Sequence, residues 1–185
     1  EKDNLIIKGF VERQNGYIRI YNNNKIKYEG TNFINKKGFG RFYNDGTLLY
    51  EGEWKKDKKG HILYHGWGKK YISGVLIGGK AKNSLEYEGQ WKNGEYHGWG
   101  KRFFRQYKIS GYPQLDKPAV LVEGQWKNGK PCGYFQRRHF SGEILKEGQW
   151  NKNAETDGRV DILQDRYCSK KDNLSNIYDK NSKYY

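Results

Sequence analysis

The chain has 185 residues, a formal net charge of +14 from 35 Lys plus Arg against 21 Asp plus Glu, and only 35% hydrophobic residues. That length suits one domain, and a mean hydropathy of −1.12 goes with the lack of any run of about 18 apolar residues, so no membrane-spanning helix is expected. So polar a composition would ordinarily mean disorder, but 16 Tyr, 6 Trp and 8 Phe change the balance. Each buried ring removes about 150–250 Å² from water, so a thin sheet can be stable without a thick aliphatic centre.

Cys132 and Cys168 fit no metal or disulfide framework, so free thiols in a reducing compartment are expected. The chain begins at Glu1 and contains no Met. The expectation is that something ahead of Glu1 was removed or left out, a targeting peptide or another domain, which keeps organelle import open.

Residues 1–27 contain Gly16-Tyr17-Ile18-Arg19-Ile20-Tyr21 and an Asn22-Asn23-Asn24 turn, which reads as a degenerate repeat pairing onto the first full one. The array proper spans 28–150. Tyr28-Glu29-Gly30-Thr31 leads to Gly38-Phe39-Gly40-Arg41, and Tyr50-Glu51-Gly52-Glu53-Trp54-Lys55 leads to His65-Gly66-Trp67-Gly68-Lys69. The fullest copy runs from Tyr87-Glu88-Gly89-Gln90-Trp91-Lys92-Asn93-Gly94 to Tyr96-His97-Gly98-Trp99-Gly100-Lys101. Glu123-Gly124-Gln125-Trp126-Lys127-Asn128-Gly129 and Glu147-Gly148-Gln149-Trp150 follow. Repetition at this interval marks one supersecondary unit stacked on itself, and such arrays make extended binding surfaces more often than reaction centres.

Within a unit, Tyr87, Gly89 and Trp91 alternate with Glu88, Gln90 and Lys92, the period of a strand with one buried face. Asn93-Gly94 is then a type I′ hairpin turn, whose two central residues need positive φ. Folding about it is expected to set Trp91 opposite Tyr96 and Gly89 opposite Gly98, so that rings lie over bare glycine backbone. One hairpin is marginal in water, so the copies must stack into a longer twisted sheet. The Glu-Gly glycines 30, 52, 89, 124 and 148 are 22, 37, 35 and 24 residues apart. The long steps carry inserts at 57–64, 72–85 and 103–122, the last with Gly111, Pro113 and Pro118 and therefore not a central strand throughout.

These motifs resemble the MORN family (membrane occupation and recognition nexus), whose repeat reads roughly Tyr-Glu-Gly-x-Trp, then x-Gly-x-x-His-Gly-x-Gly, then x-x-Tyr-x-x-Gly. The resemblance covers about Tyr28 to Trp150. Cys132 departs from it where His65 and His97 stand in other copies, and Phe135 replaces the second glycine of Gly98-x-Gly100. It implies an all-β fold, an elongated, twisted single-layer array of β-hairpins. It also implies a non-catalytic scaffold that binds a protein, as a helix or extended peptide along the sheet, within a larger assembly. Cytoskeletal, ciliary or membrane-associated partners and a cytoplasmic setting follow from the same resemblance. So does a role as accessory domain of an enzyme, since such arrays occur beside lipid-kinase and methyltransferase domains.

The polar tail, 151–185, has Leu163, Tyr167, Leu174 and Tyr178 at helical spacing, with Lys170 breaking the stripe. It reads as an amphipathic helix that caps the last hairpin, with docking into another protein as the alternative.

His65 and His97 repeat in position, but equivalent residues two strands apart lie roughly 9–10 Å from each other. Zinc ligands each lie about 2.0–2.3 Å from one ion, so no metal site is expected of them. No nucleophile–base set, phosphate-cradling loop or acid pair stands out, so neither catalysis nor a cofactor is expected. Cations return in register after each Gly-x-Gly (Arg41, Lys69, Lys70, Lys101, Arg102, Arg137, Arg138), and a second line follows the Trp position (Lys55, Lys92, Lys127). Against them stands the acidic line Glu29, Glu51, Glu88, Glu123 and Glu147. Cross-strand pairing on a solvated face accounts for part of this; the surplus suits an acidic protein or anionic, phosphoinositide-bearing membranes. Nucleic acid is not expected, because the aromatics are needed for internal packing. The expected partner-binding residues are Lys69, Tyr71, Lys101, Arg102, Phe103, Phe104, Phe135 and Arg137.

Overall fold

A computed structural model of the chain describes residues 11–14, 16–31, 35–77, 80–104 and 118–150. The described elements are all strands: β1 (Val11–Gln14), β2 (Tyr17–Asn22), β3 (Lys25–Thr31), β4 (Lys37–Asn44), β5 (Thr47–Lys56) and β6 (Ile62–Ile77). They continue as β7 (Lys80–Lys92), β8 (Glu95–Phe103), β9 (Val120–Lys127), β10 (Lys130–Arg138) and β11 (Ile144–Trp150). All eleven lie side by side in chain order in one antiparallel meander. The expected helix of the tail falls outside the described residues.

Two-residue turns build the short hairpins. Asn93 and Gly94 have φ of 55° and 87°, and Asn128 and Gly129 have 51° and 76°. Asn23-Asn24 and Asp45-Gly46 adopt the same left-handed pair, which matches the strand twist. The inserts are partly strand. Only 57–61 separates β5 from β6, closed by the Asp57 carboxylate, which accepts hydrogen bonds from the backbone N–H of Lys59 and of His61, both at 2.8 Å. Over 72–85, β6 and β7 run on together, Ile77 opposite Lys80, as a longer hairpin. Residues 105–117 of the third insert lie outside the described set.

One row of glycines crosses seven strands. Gly30 pairs with Gly40, Gly40 with Gly52 and Gly52 with Gly68. The row continues through Gly89, Gly100 and Gly124, and ends against Ile18 on one side and Phe135 on the other. Over it lie the tyrosine rings, since a Cβ on Gly40, Gly68 or Gly100 would run into Tyr28, Tyr50 or Tyr87 respectively. Each hydroxyl donates to the carbonyl three residues on: Tyr28 to Thr31 at 2.7 Å, Tyr50 to Glu53 at 2.7 Å, Tyr87 to Gln90 at 3.0 Å.

The rings then interlock along this face. Tyr50 stacks on Tyr64 at 3.7 Å between centroids and Tyr87 on Tyr96 at 3.8 Å. Trp91 stands edge-on to Tyr50, Tyr64 and Tyr87, and Trp126 to Tyr87 and Tyr96. The buried indoles donate inward as well: Trp91 to the Gly68 carbonyl and Trp126 to that of Gly100, both at 3.1 Å, and Trp54 to the Tyr28 hydroxyl at 3.1 Å. The core is therefore a single aromatic layer in which these tyrosine hydroxyls and buried indoles are satisfied.

Two expectations are corrected. Trp91 does face Tyr96, but Gly89 pairs with Gly100, not Gly98. Gly98 lies in a bulge at φ +57°, where an added Cβ would strike the Gln90 side chain rather than a ring. Cys132 is buried and disulfide-bonded rather than a free thiol; Cys168 lies outside the described residues.

Candidate binding face

Strand alternation sends every second side chain to the face opposite the aromatic layer. There, one row alternates in sign from strand to strand: Arg19, Glu29, Arg41, Glu51, Lys69, Glu88, Lys101, Glu123, Gln136, Glu147. Arg41 bridges Glu29 and Glu51 at 3.3 and 2.6 Å, Lys69 reaches Glu88 at 3.3 Å, and Lys101 reaches Glu123 at 3.2 Å. Gln136 stands where the next cation would be. It donates to Glu147 at 2.9 Å, while Arg138 approaches Glu123 at 3.9 Å. Burial pushes the Glu29 carboxyl up, but hydrogen bonds from Tyr43, Arg41 and Arg19 outweigh it and hold the group below the usual carboxylate range. This row is internally neutralised.

A second row runs beside it. Phe39, Trp67 and Trp99 precede Gly40, Gly68 and Gly100 by one residue, and Tyr17 and Tyr134 precede the flanking Ile18 and Phe135, so all five point to the opposite face. Phe39 is 53% exposed, Trp67 43% and Trp99 38%. Register shifts flank Trp67, Trp99 and Tyr134, and at these and at Phe39 a side chain of the preceding strand takes the backbone N–H. Thr31 Oγ1 accepts from Phe39 N–H at 3.0 Å, Glu53 Oε1 from Trp67 at 3.0 Å, Gln90 Oε1 from Trp99 at 2.8 Å, and Gln125 Oε1 from Tyr134 at 2.9 Å. The residue after Glu-Gly is thus the support of an outward ring in the first four copies.

A third row is basic. Lys37 pairs in register with Lys55, and Lys92 follows two residues after Gln90. None of the three makes a short ion pair among the described residues, although Lys92 stands opposite Glu95 across its hairpin. With Asn35, Lys36 and Lys56, Lys37 and Lys55 line an open cleft of about 540 Å³. Burial, then Lys55 and Lys92, lower the His65 pKa, and burial, then Lys92 and Lys127, lower that of His97. His65 Nδ1 accepts from Asn93 N–H at 3.4 Å, a strand-to-turn contact, whereas Nδ1 of His97 is enclosed without a partner among the described residues.

The eight residues expected to bind a partner divide between the faces. Lys69 and Lys101 belong to the neutralised row, and Tyr71 is half-buried with Glu51, Lys69, Glu88 and Arg41 as its charged neighbours. Arg102 lies between Tyr87 and Val122 on the aromatic side, and Arg137 pairs with Val122 and Lys146. Phe135 at 3% and Phe103 at 9% exposure are packed inside, so their apolar contacts are made within the chain. Phe104 is half-buried at the end of β8, its N–H bonded to the Ala119 carbonyl at 2.9 Å. The exposed rings of the described residues lie elsewhere, at Tyr17, Phe39, Trp67 and Trp99. The sequence signal of the last three was present: Gly38-Phe39-Gly40, Gly66-Trp67-Gly68 and Gly98-Trp99-Gly100 place a ring three times between two glycines.

Residues 50–61, 87–107 and 123–134 match the MORN repeat family. The chain carries MORN repeats. The matched segments hold Tyr50, Gly52 and Trp54, then Tyr87, Gly89 and Trp91, then Gly124 and Trp126, which together form the aromatic layer and much of the glycine row. No curated protein matches the chain significantly. The match accords with a repeat scaffold, and Phe39, Trp67 and Trp99 each stand between two glycines of this array.

Proposed function

We propose that this MORN array is a non-catalytic scaffold that holds a protein partner along the face opposite its aromatic core. The supporting observation is the line of exposed rings, Phe39, Trp67 and Trp99, on three alternate strands. Large apolar side chains left in water on one line are costly unless something covers them, and aromatic anchors dominate protein interfaces. Affinity capture with the intact chain tests this. Trp67→Ala/Trp99→Ala should lose the partner, whereas Lys101→Gln, in the neutralised row, should keep it. Equal capture by all three chains would sink the reading.

The cleft lined by Lys36, Lys37, Lys55 and Lys56 favours a second reading, attachment to an anionic membrane. Exposed cations are screened over about 8 Å at physiological ionic strength. Retention on phosphoinositide vesicles at that salt, lost in Lys36→Glu/Lys55→Glu, would support it; release at that salt would exclude it.

A further inference from the structure

We propose that the track formed by Phe39, Trp67 and Trp99, with Lys55 and Lys92 beside it, binds an acidic, proline-rich segment in the polyproline II conformation. This rests on the scaffold reading above and names the chemistry of the partner.

Spacing is the first argument. The three rings stand on β4, β6 and β8, and two strand intervals of about 4.8 Å put them roughly 9.6 Å apart. A polyproline II helix repeats every three residues at about 3.1 Å each, so one turn advances about 9.3 Å and offers the same side to each ring in succession. The mismatch is only about 0.6 Å over both intervals. Other chain conformations fit worse. Two turns of α-helix advance about 10.8 Å, which accumulates more than 2 Å of error over the same intervals. An extended strand presents one side every two residues, about 6.7 Å, and meets the next ring with the wrong face.

The second argument is hydrogen bonding. The indoles of Trp54, Trp91 and Trp126 all have internal acceptors, whereas those of Trp67 and Trp99 have none among the described residues. An indole N–H can only donate. A polyproline II chain has no internal hydrogen bonds, so its carbonyls are free acceptors, and its pyrrolidine rings are flat apolar faces for the aromatic rings.

Charge supplies the acidic character. On one side of the rings the Glu–Lys row is already neutralised; on the other Lys37 and Lys55 face each other and Lys92 faces Glu95, with no short ion pair among the described residues. The neighbouring His65 and His97 resist protonation partly because of the same lysines. One carboxylate per turn of the bound segment would run along this row.

The test is a fluorescence-anisotropy titration of the intact chain, at physiological salt, with a labelled peptide of five Pro-Pro-Glu triplets, roughly 46 Å long. The expected result is saturable binding, weakened at least tenfold by Trp67→Ala/Trp99→Ala and by Lys55→Glu/Lys92→Glu. These side chains are outside the core, so unchanged circular dichroism and melting temperature should accompany both. Five Gly-Ser-Glu triplets, equally charged but flexible, should bind at least tenfold more weakly, and Pro-Pro-Lys triplets should not bind. Failure of Pro-Pro-Glu to bind, equal binding of Gly-Ser-Glu, or binding indifferent to the tryptophans would each overturn the proposal. Preference for a neutral β-linked oligosaccharide, or for phosphatidylserine vesicles, would do the same. If the peptide fails while capture of a partner still needs Trp67 and Trp99, the occupant is wrong and the scaffold reading stands; if neither needs them, both fall.

Discussion

Val122 and Phe135 exchange roles with the tyrosine and glycine of the other repeats. In the copy beginning at Tyr87, a ring on the first strand covers Gly100 on the next. One repeat later the first strand carries only Val122, and the ring comes from Phe135, which sits in the glycine row opposite Gly124. Both are buried, at 1% and 3% exposure, in one cluster with Tyr87 and Trp126. The departure of Phe135 from Gly-x-Gly is thus a compensation.

It follows that the two positions are coupled. Phe135→Gly alone should cost about 3–5 kcal/mol as a cavity, and Val122→Tyr alone about 1–3 kcal/mol as overpacking. The double change restores the tyrosine-over-glycine arrangement and should recover most of the loss, which urea denaturation of all four chains would measure. Strict additivity would refute the exchange.

Glycine substitutions should separate two mechanisms. Gly100→Ala drives a Cβ into the Tyr87 ring, so it should destabilise by about 1–3 kcal/mol and should be relieved in part by Tyr87→Leu. Gly98→Val fails for another reason. A β-branched residue is forced to φ +57° and displaces Gln90 Oε1 from the Trp99 N–H, so Tyr87→Leu should not relieve it. Thermal melts of the two pairs would show whether the distinction holds.

Acid should weaken the fold before its carboxylates protonate. His65 and His97 bind a proton less readily in the folded chain than in the unfolded one. Between their lowered folded values and the ordinary value of about 6.5, the unfolded state therefore holds more protons, and stability rises with pH. Their contribution is complete above about pH 6.5 and is lost as pH falls through the lowered folded values. The carboxylates held low, such as Glu29, act only at more acid pH. The melting temperature should fall between pH 7.5 and 5.5, and His65→Gln/His97→Gln should flatten that dependence; a flat profile in the parent chain would argue against it.

Residues of the sign-alternating row should matter unequally. Lys69→Gln removes one exposed contact, worth about 0–1 kcal/mol. Glu29→Gln disturbs Arg19, Arg41 and the Tyr43 hydroxyl, bonded at 2.6 Å, around a side chain only 11% exposed, and should cost more. Chemical denaturation of both variants would rank them.

The repeat, its turns and its single sheet were legible because tyrosine, glycine and tryptophan recur at fixed offsets with Asn-Gly between them. Register was not. Gly98 and Gly100 are two residues apart, so alternation alone cannot choose which faces Gly89, and Gln90 decides it through the Trp99 N–H. The expected binding residues mixed two faces because Lys101 and Arg102 are adjacent in the chain, and adjacency in a strand means opposite sides. The rings inside the repeat were expected to pack and the exposed ones to be Tyr71, Phe103, Phe104 and Phe135, although Phe39, Trp67 and Trp99 stand out of phase with Tyr28, Tyr50 and Tyr87.

That division between inward and outward rings is tested most directly by melting temperatures of single tryptophan-to-alanine variants. Trp54, Trp91 and Trp126 should each lose about 3–5 kcal/mol, a drop on the order of 10 °C for a chain of this size. Trp67→Ala and Trp99→Ala should melt within about 2 °C of the parent, because surface substitutions stay near ±0.5 kcal/mol. A comparable drop at Trp67 or Trp99 would contradict the account, since those rings would then serve the fold rather than a partner.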